Sequence, residues 1–190
     1  MSSLFTVAEE ELSRLGLAAH VGAGPLDVLV GGLGLGYTAR AALEDPRVAS
    51  LVVVEALPAV IDWHRHDLLP DTVGLAADTR VELRLGSFFA VVQDPARSWD
   101  AILLDIDNSP RHVLHPSHEA FYTEAGLAQV GATLRPGGVF ALWSDDPPDE
   151  PFVALLRRVF ADAQAHIVPF ANVLTGGESA NTVYLSTTSG

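Results

Sequence analysis

"VLVGGLGLGYTARAAL", residues 28–43, sets four glycines in six positions between an apolar run and a stretch of helical character. A short strand, a glycine turn and a helix make the opening step of an open α/β sheet. The spacing of the glycines narrows what such a turn could hold. A dinucleotide fingerprint G-x-G-x-x-G begun at Gly32 needs a third glycine at 37, where Tyr37 stands. Begun at Gly31, it needs its second glycine at 33, where Leu33 stands. A Walker phosphate loop needs a lysine, and the sequence contains none. What fits is G-x-G-x-G at Gly32, Gly34 and Gly36, a loop that admits a ligand against bare backbone without phosphate machinery.

The same rhythm continues on either side of the loop. Strand-like runs occur at 27–31, 50–55, 80–85, 100–105, 138–143, 165–170 and 181–186. Most are short and aliphatic, as expected of strands buried on both faces. Helical segments are predicted at 36–43, from Pro58 to Leu69, from Ser117 to Leu134, and from Pro151, where Phe152, Leu155, Val159 and Ala163 share one face. The last two runs are joined by the glycine-containing "ANVLTGGESA" and are expected to pair antiparallel. The prediction is therefore an α/β, Rossmann-like fold. Its seven-stranded, mostly parallel sheet carries an antiparallel last strand and helices on both faces. We expect one domain over 1–190, with residues 1–25 as an N-terminal helical segment.

Composition excludes several classes of function. The chain has 190 residues, 48% of them apolar, and a formal net charge of −13, so a globular domain that repels nucleic acid is expected. No apolar run approaches the roughly 20 residues that cross a bilayer, so no membrane partner is expected. "MSSLFTVAEEELSRLG" does not read as a signal peptide, which makes the expected location cytoplasmic. The sequence has no cysteine, hence no disulfide, no thiolate metal site and no cysteine nucleophile.

In open α/β sheets ligands bind beyond the carboxyl ends of the strands. That rule selects the glycine loop, Glu55, Ser87 and Phe88, Asp105 with the loop after it, and Asp145 and Asp146. Glu55 stands where an acid would accept both hydroxyls of a ribose. Glycines plus a ribose acid, without a phosphate clamp, point to an adenosine-type ligand such as S-adenosylmethionine. Asp105 is the first charge after Ile102, Leu103 and Leu104, and a carboxylate closing an apolar run is expected to point into a cleft.

Taken in order, "VLVGGLGLG" (28–36), "VVVEALPAVIDWHRHDLLP" (52–70), "WDAILLDIDNSP" (99–110), "EAFYTEAGL" (119–127) and "LRPGGVFALWS" (134–144) resemble the spermidine synthase family. The resemblance is closest to its divergent, spermidine synthase-like bacterial members. It implies the class I methyltransferase fold and transfer from a sulfonium donor, S-adenosylmethionine or its decarboxylated form, to a small amine or polyamine. It also implies a homodimer and no metal. Asp105 matches the family's catalytic aspartate, which takes a proton from the attacking amine. Gly32, Gly34, Gly36, Glu55, Ser87 and Phe88 then fall to the cofactor, and Asp107, Tyr122, Asp145 and Asp146 to the amine.

The sequence departs from the family at positions that govern selectivity. Leu35 replaces the aspartate within the glycines, Leu57 the second acid after Glu55, and Ser87 and Phe88 the adenine-contacting Asp-Gly. Asn108 and Ser109 replace the Asp-Pro after the catalytic aspartate, and the family's N-terminal β-domain has no counterpart in residues 1–25. With Leu35 in the loop, a preference for the decarboxylated donor of less than about tenfold is expected. Asp107 is expected to matter less than Asp105, being farther into a mobile loop. His112, His115 and His118 read as loop or capping residues, and the acidic "DDPPDE" (145–150) as an amine-holding or a solvated loop. Two functions remain open, a methyl- or aminopropyl-transferring enzyme and a non-catalytic nucleoside-binding or dimerisation module.

Overall fold

The computed structural model describes residues 5–94 and 96–190. Seven strands form one sheet: β1 (Leu26–Gly31), β2 (Val48–Glu55), β3 (Val81–Leu85), β4 (Trp99–Leu104), β5 (Leu134–Ser144), β6 (Asp162–Asn172) and β7 (Gly177–Thr187). Their order is β3-β2-β1-β4-β5-β7-β6. Strands β1 to β5 pair in parallel, and β7 runs antiparallel between β5 and β6. This is the predicted doubly wound sheet, with its order reversing between β1 and β4, where such folds open a crevice.

Alternation along the central strands puts a helix layer on each face. Val28, Val30, Leu51, Val53, Ala101 and Leu103 point to one side, together with α1 (Val7–Ala19), α2 (Tyr37–Ala42) and α3 (Pro58–Arg65). Leu29, Val52, Val54, Ile102 and Leu104 point to the other. There they meet α4 (Phe88–Val91), α5 (Glu124–Thr133) and α6 (Glu150–Val159). A period of two on strands covered from both sides makes every residue apolar, which is why these runs carried no alternation to read.

Several predicted elements differ in detail. The expected helix from Ser117 to Leu134 is broken into a 3₁₀ helix, Pro116–Tyr122, and α5. Thr123 divides them, because its hydroxyl accepts from Gly126 N at 3.2 Å as an N-cap. Strand β3 is not buried on both faces, since it forms the sheet edge. The fourth helix ends at Val159, so Ala163 lies on β6 rather than on its face. Strands β6 and β7 form a longer hairpin than the runs at 165–170 and 181–186. The short α4 was not predicted.

Of the N-terminal segment, Val7–Ala19 is helical and residues 1–4 lie outside the described residues. Two contacts fix α1 on the sheet. A Cβ on Gly16 would stand 2.7 Å from Leu103 and 3.1 Å from Ala141, so the missing side chain lets the helix lie close. At its carboxyl end, the Arg47 guanidinium donates to the carbonyls of Leu17, His20 and Gly22 at 2.7–3.0 Å, satisfying groups that a helix end leaves orphaned. Because α1 runs antiparallel to the strand that follows it, its first turns sit at the carboxyl edge of the sheet. Among the described residues no helix is long and apolar enough to cross a membrane.

Candidate functional site

The glycine loop takes its shape from its own packing. Gly32, Gly34 and Gly36 have φ of +91°, +49° and +89°. A Cβ on Gly32 would lie 2.1 Å from the Asp105 carbonyl oxygen, and one on Gly36 would lie 2.6 Å from the His64 ring. Any side chain at either position is excluded by both conformation and space. The loop is held from below by two residues that nothing in the sequence pattern singled out. His64 Nε2 donates to Gly34 O at 3.0 Å, and Thr72 Oγ1 donates to Leu35 O at 3.0 Å.

Glu55, the last residue of β2, grips the loop from the side. Its Oε2 accepts from the N–H groups of Leu33 (3.1 Å) and Gly34 (3.5 Å), and its Oε1 from Leu57 N (2.9 Å). Around this carboxylate opens a cleft of about 310 Å³. Gly32, Gly34, Glu55, Ser87 and Phe88 line it, with Val54, Leu57, Phe89 and Ile106 as apolar walls. Five of the six residues assigned to the cofactor thus meet in one place, while Gly36 faces a neighbouring cavity.

That second cavity holds about 390 Å³. It shares Gly34, Asp105, Ile106 and Leu114 with the first, so the two lie side by side at the end of β4 with Asp105 in their common wall. Asp105 is anchored through its backbone, N to Gly31 O at 2.8 Å, and its Oδ2 accepts from Thr38 Oγ1 at 2.9 Å. Burial pushes its carboxyl up to about 6, against the opposing pull of the Thr38 hydroxyl. Glu9, from α1, lines the same cavity, and burial followed by the charge of Asp105 pushes it up to about 7. Glu9 was absent from the sequence reading because it lies outside the strand-end positions. Asp145 also lines this cavity, exposed, with Asn181 Nδ2 donating to it at 2.8 Å.

Asp107 is not part of an unanchored loop. It is buried, and its carboxylate receives Leu114 N (2.7 Å), His118 Nδ1 (2.8 Å) and the Tyr122 hydroxyl (2.9 Å). Burial first, then Asp107, raises the Tyr122 hydroxyl far above its ordinary range, so Tyr122 stays a donor. Asp146 accepts from Ser109 Oγ at 2.6 Å and meets His112 Nδ1 at 2.9 Å; the Ser109 bond leads in holding its carboxyl low. Neither Tyr122 nor Asp146 lines either cavity; both fasten the loop that follows β4. Beside them Arg111 pairs with Asp149 at 2.6 Å. His115 accepts from Ser117 N and caps the 3₁₀ helix. The three histidines face three different partners, and the described residues contain no cluster of metal-ligating side chains.

Comparison with known proteins adds a family. The profile of the Spermine/spermidine synthase domain matches residues 6–162. A polyamine aminopropyltransferase of Bacillus mycoides is 28% identical over 176 residues, covering 90% of this chain and 61% of its own length. The chain thus spans 61% of that relative. A spermidine synthase crystallised with the transition-state analogue AdoDATO superposes with a TM-score of 0.73 at 21% identity, covering 96% of this chain and 59% of that one. Human methyltransferase-like protein 13, in complex with SAH, superposes with a TM-score of 0.67 at 20% identity, covering 96% and 78%. At these identities the two structures establish the fold, the class I methyltransferase arrangement anticipated above.

Proposed function

The chain belongs to the spermine/spermidine synthase domain family, and from that premise we propose that it transfers an aminopropyl group from decarboxylated S-adenosylmethionine to a small amine. The observation that carries this reading is the meeting of two cavities at Asp105. The apolar cleft beside Glu55 suits an adenosine, its ribose hydroxyls donating to a carboxylate already fixed by three N–H groups. The acidic cavity on the other side suits cationic chains. The sulfonium then lies between them, close to Asp105. The amine nitrogen attacks the carbon next to sulfur, a C–N bond forms, and the C–S pair returns to sulfur, releasing neutral methylthioadenosine. Asp105 accepts the proton that the nitrogen must lose. A carboxyl raised to about 6 is ionised at neutral pH yet basic enough to serve. The names of the Bacillus mycoides relative and the AdoDATO complex support the same donor and acceptor classes.

The test is turnover of both donor forms with a panel of diamines and monoamines, read as methylthioadenosine and S-adenosylhomocysteine. Methylthioadenosine, formed only when amine is present, is the expected result. S-adenosylhomocysteine would assign methyl transfer instead. Calorimetry with methylthioadenosine separates binding from chemistry. Glu55→Ala should weaken that affinity by about 1–3 kcal/mol, the scale for a hydrogen bond to a charged group. Nucleoside binding without turnover of either donor would make the chain a binding module.

A further inference from the structure

The acidic cavity contains one group that strand topology does not explain. Glu9 reaches it from α1, not from a strand end. Glu9, Leu12 and Gly16 share one face of the helix at spacings of three and seven. Gly16 and Leu12 fix that face against the sheet, so Glu9 is carried about one turn beyond Leu12, and two beyond Gly16, to the carboxyl edge. There it shares the cavity wall with Leu35, Tyr37 and Asp105.

We propose that Glu9 is the specificity-determining residue for the donor's side chain: its carboxylate receives the terminal ammonium of the decarboxylated donor and excludes the carboxylate of intact S-adenosylmethionine. The proposal rests on the reading of the adjoining cleft as an adenosyl site. Three observations support it. The described wall of this cavity contains no arginine and no histidine, so a carboxylate-bearing chain finds no counter-charge. Its acids are Glu9, Asp105, Asp107 and Asp145. Of these Asp107 is buried and already receives three donors, and Asp145 is exposed, which leaves Glu9 and Asp105 as the half-buried acids of the wall. The wall also contributes Leu33, Leu35 and Trp143, suited to the methylenes of a short chain.

Charge repulsion is already present before any ligand arrives. Burial, and after it the charge of Asp105, lifts Glu9 to about 7. An ammonium between the two acids relieves that repulsion, and a carboxylate adds to it. The expectation of weak donor discrimination considered Leu35 alone. Glu9 supplies a negative charge to the same region from a different element.

Equilibrium binding of methylthioadenosine, the decarboxylated donor and intact S-adenosylmethionine tests this in wild type, Glu9→Gln and Glu9→Asp. Methylthioadenosine lacks the charged chain and reports the integrity of the cleft. Wild type should bind the decarboxylated donor at least about tenfold tighter than the intact one. In Glu9→Gln that ratio should collapse by at least about fivefold while methylthioadenosine affinity holds within about twofold. Glu9→Asp keeps the charge and should retain the direction of the preference. Glu11→Gln, farther along the same helix, should leave the ratio unchanged. A wild-type ratio below tenfold, or Glu9→Gln with the wild-type ratio, overturns the role of Glu9 while leaving the adenosyl site standing. Failure of wild type to bind methylthioadenosine removes the functional reading itself, and this proposal with it.

Discussion

Asp105 and Asp107 stand two residues apart after the same strand and have opposite lives. Asp107 is sealed in, and three donors from Leu114, His118 and Tyr122 consume its carboxylate. Asp105 has one side-chain donor, Thr38, and stands in the wall common to two cavities. A buried carboxylate with a full set of donors organises the chain around itself. A buried carboxylate left short of donors is raised in pKa and keeps its capacity to take a proton. The residue type is the same in both; what separates these two aspartates is how completely burial and donors close each carboxylate off.

The largest effect is expected from removing the saturated acid. Asp107→Ala strands the Leu114 N–H, the His118 ring and the Tyr122 hydroxyl, which should destabilise the fold by about 3 kcal/mol in urea unfolding. If stability stays within about 0.5 kcal/mol and turnover vanishes, the two aspartates have exchanged the roles assigned to them.

Asp105→Asn tests the other side of the comparison. Turnover should fall at least about a hundredfold, or about 2.7 kcal/mol of barrier, with methylthioadenosine affinity within a few-fold. Its stability should move the opposite way. A carboxyl raised to about 6 in the fold favours folding fully only below its ordinary range, and that contribution is lost as pH rises through 6. The amide escapes that loss, so at pH 7–8 the variant should be more stable than wild type, by about 1–2 kcal/mol. Under the proposed mechanism the ionised form is the working one, so kcat/KM of the wild-type protein should decline as pH falls through about 6. A variant both inactive and destabilised at neutral pH would show that Asp105 is structural.

The smallest effect belongs to the single donor. Thr38 lowers the carboxyl of Asp105 while burial raises it. Thr38→Val keeps the shape and deletes the donor, so the acidic limb of kcat/KM should move up by about 0.5–1 pH unit. A limb that does not move would mean that the Thr38 bond is absent in the working state and that Asp105 is less restrained than its geometry implies.

Much of this molecule was legible from local pattern. The alternation of apolar runs and helices dictated the parallel sheet, since each element advertises its period within a few residues. The G-x-G-x-G loop, Glu55 and Asp105 could be named because strand ends in such a sheet converge on one edge. Even so, the glycines were read for the room they leave a ligand. At Gly32 and Gly36 the structure adds a nearer reason, the Asp105 carbonyl and the His64 ring pressed against them.

What the chain's order by itself determined, then, is the sheet, the edge on which chemistry can occur, and the acids that strand ends deliver to it. Only the tertiary structure decided what those acids meet. Asp107 and Tyr122 turned inward, and Asp146 toward Ser109, to fasten a loop, because their partners lie 7 to 37 residues away and come within reach only once the loop is closed. Glu9 entered the cavity because α1 returns along the sheet antiparallel to β1, drawn close by a glycine whose role shows only when Leu103 and Ala141 are beneath it. Local periodicity records which face of an element is apolar. Which distant side chain that face will meet depends on packing between segments, and no single segment carries that information.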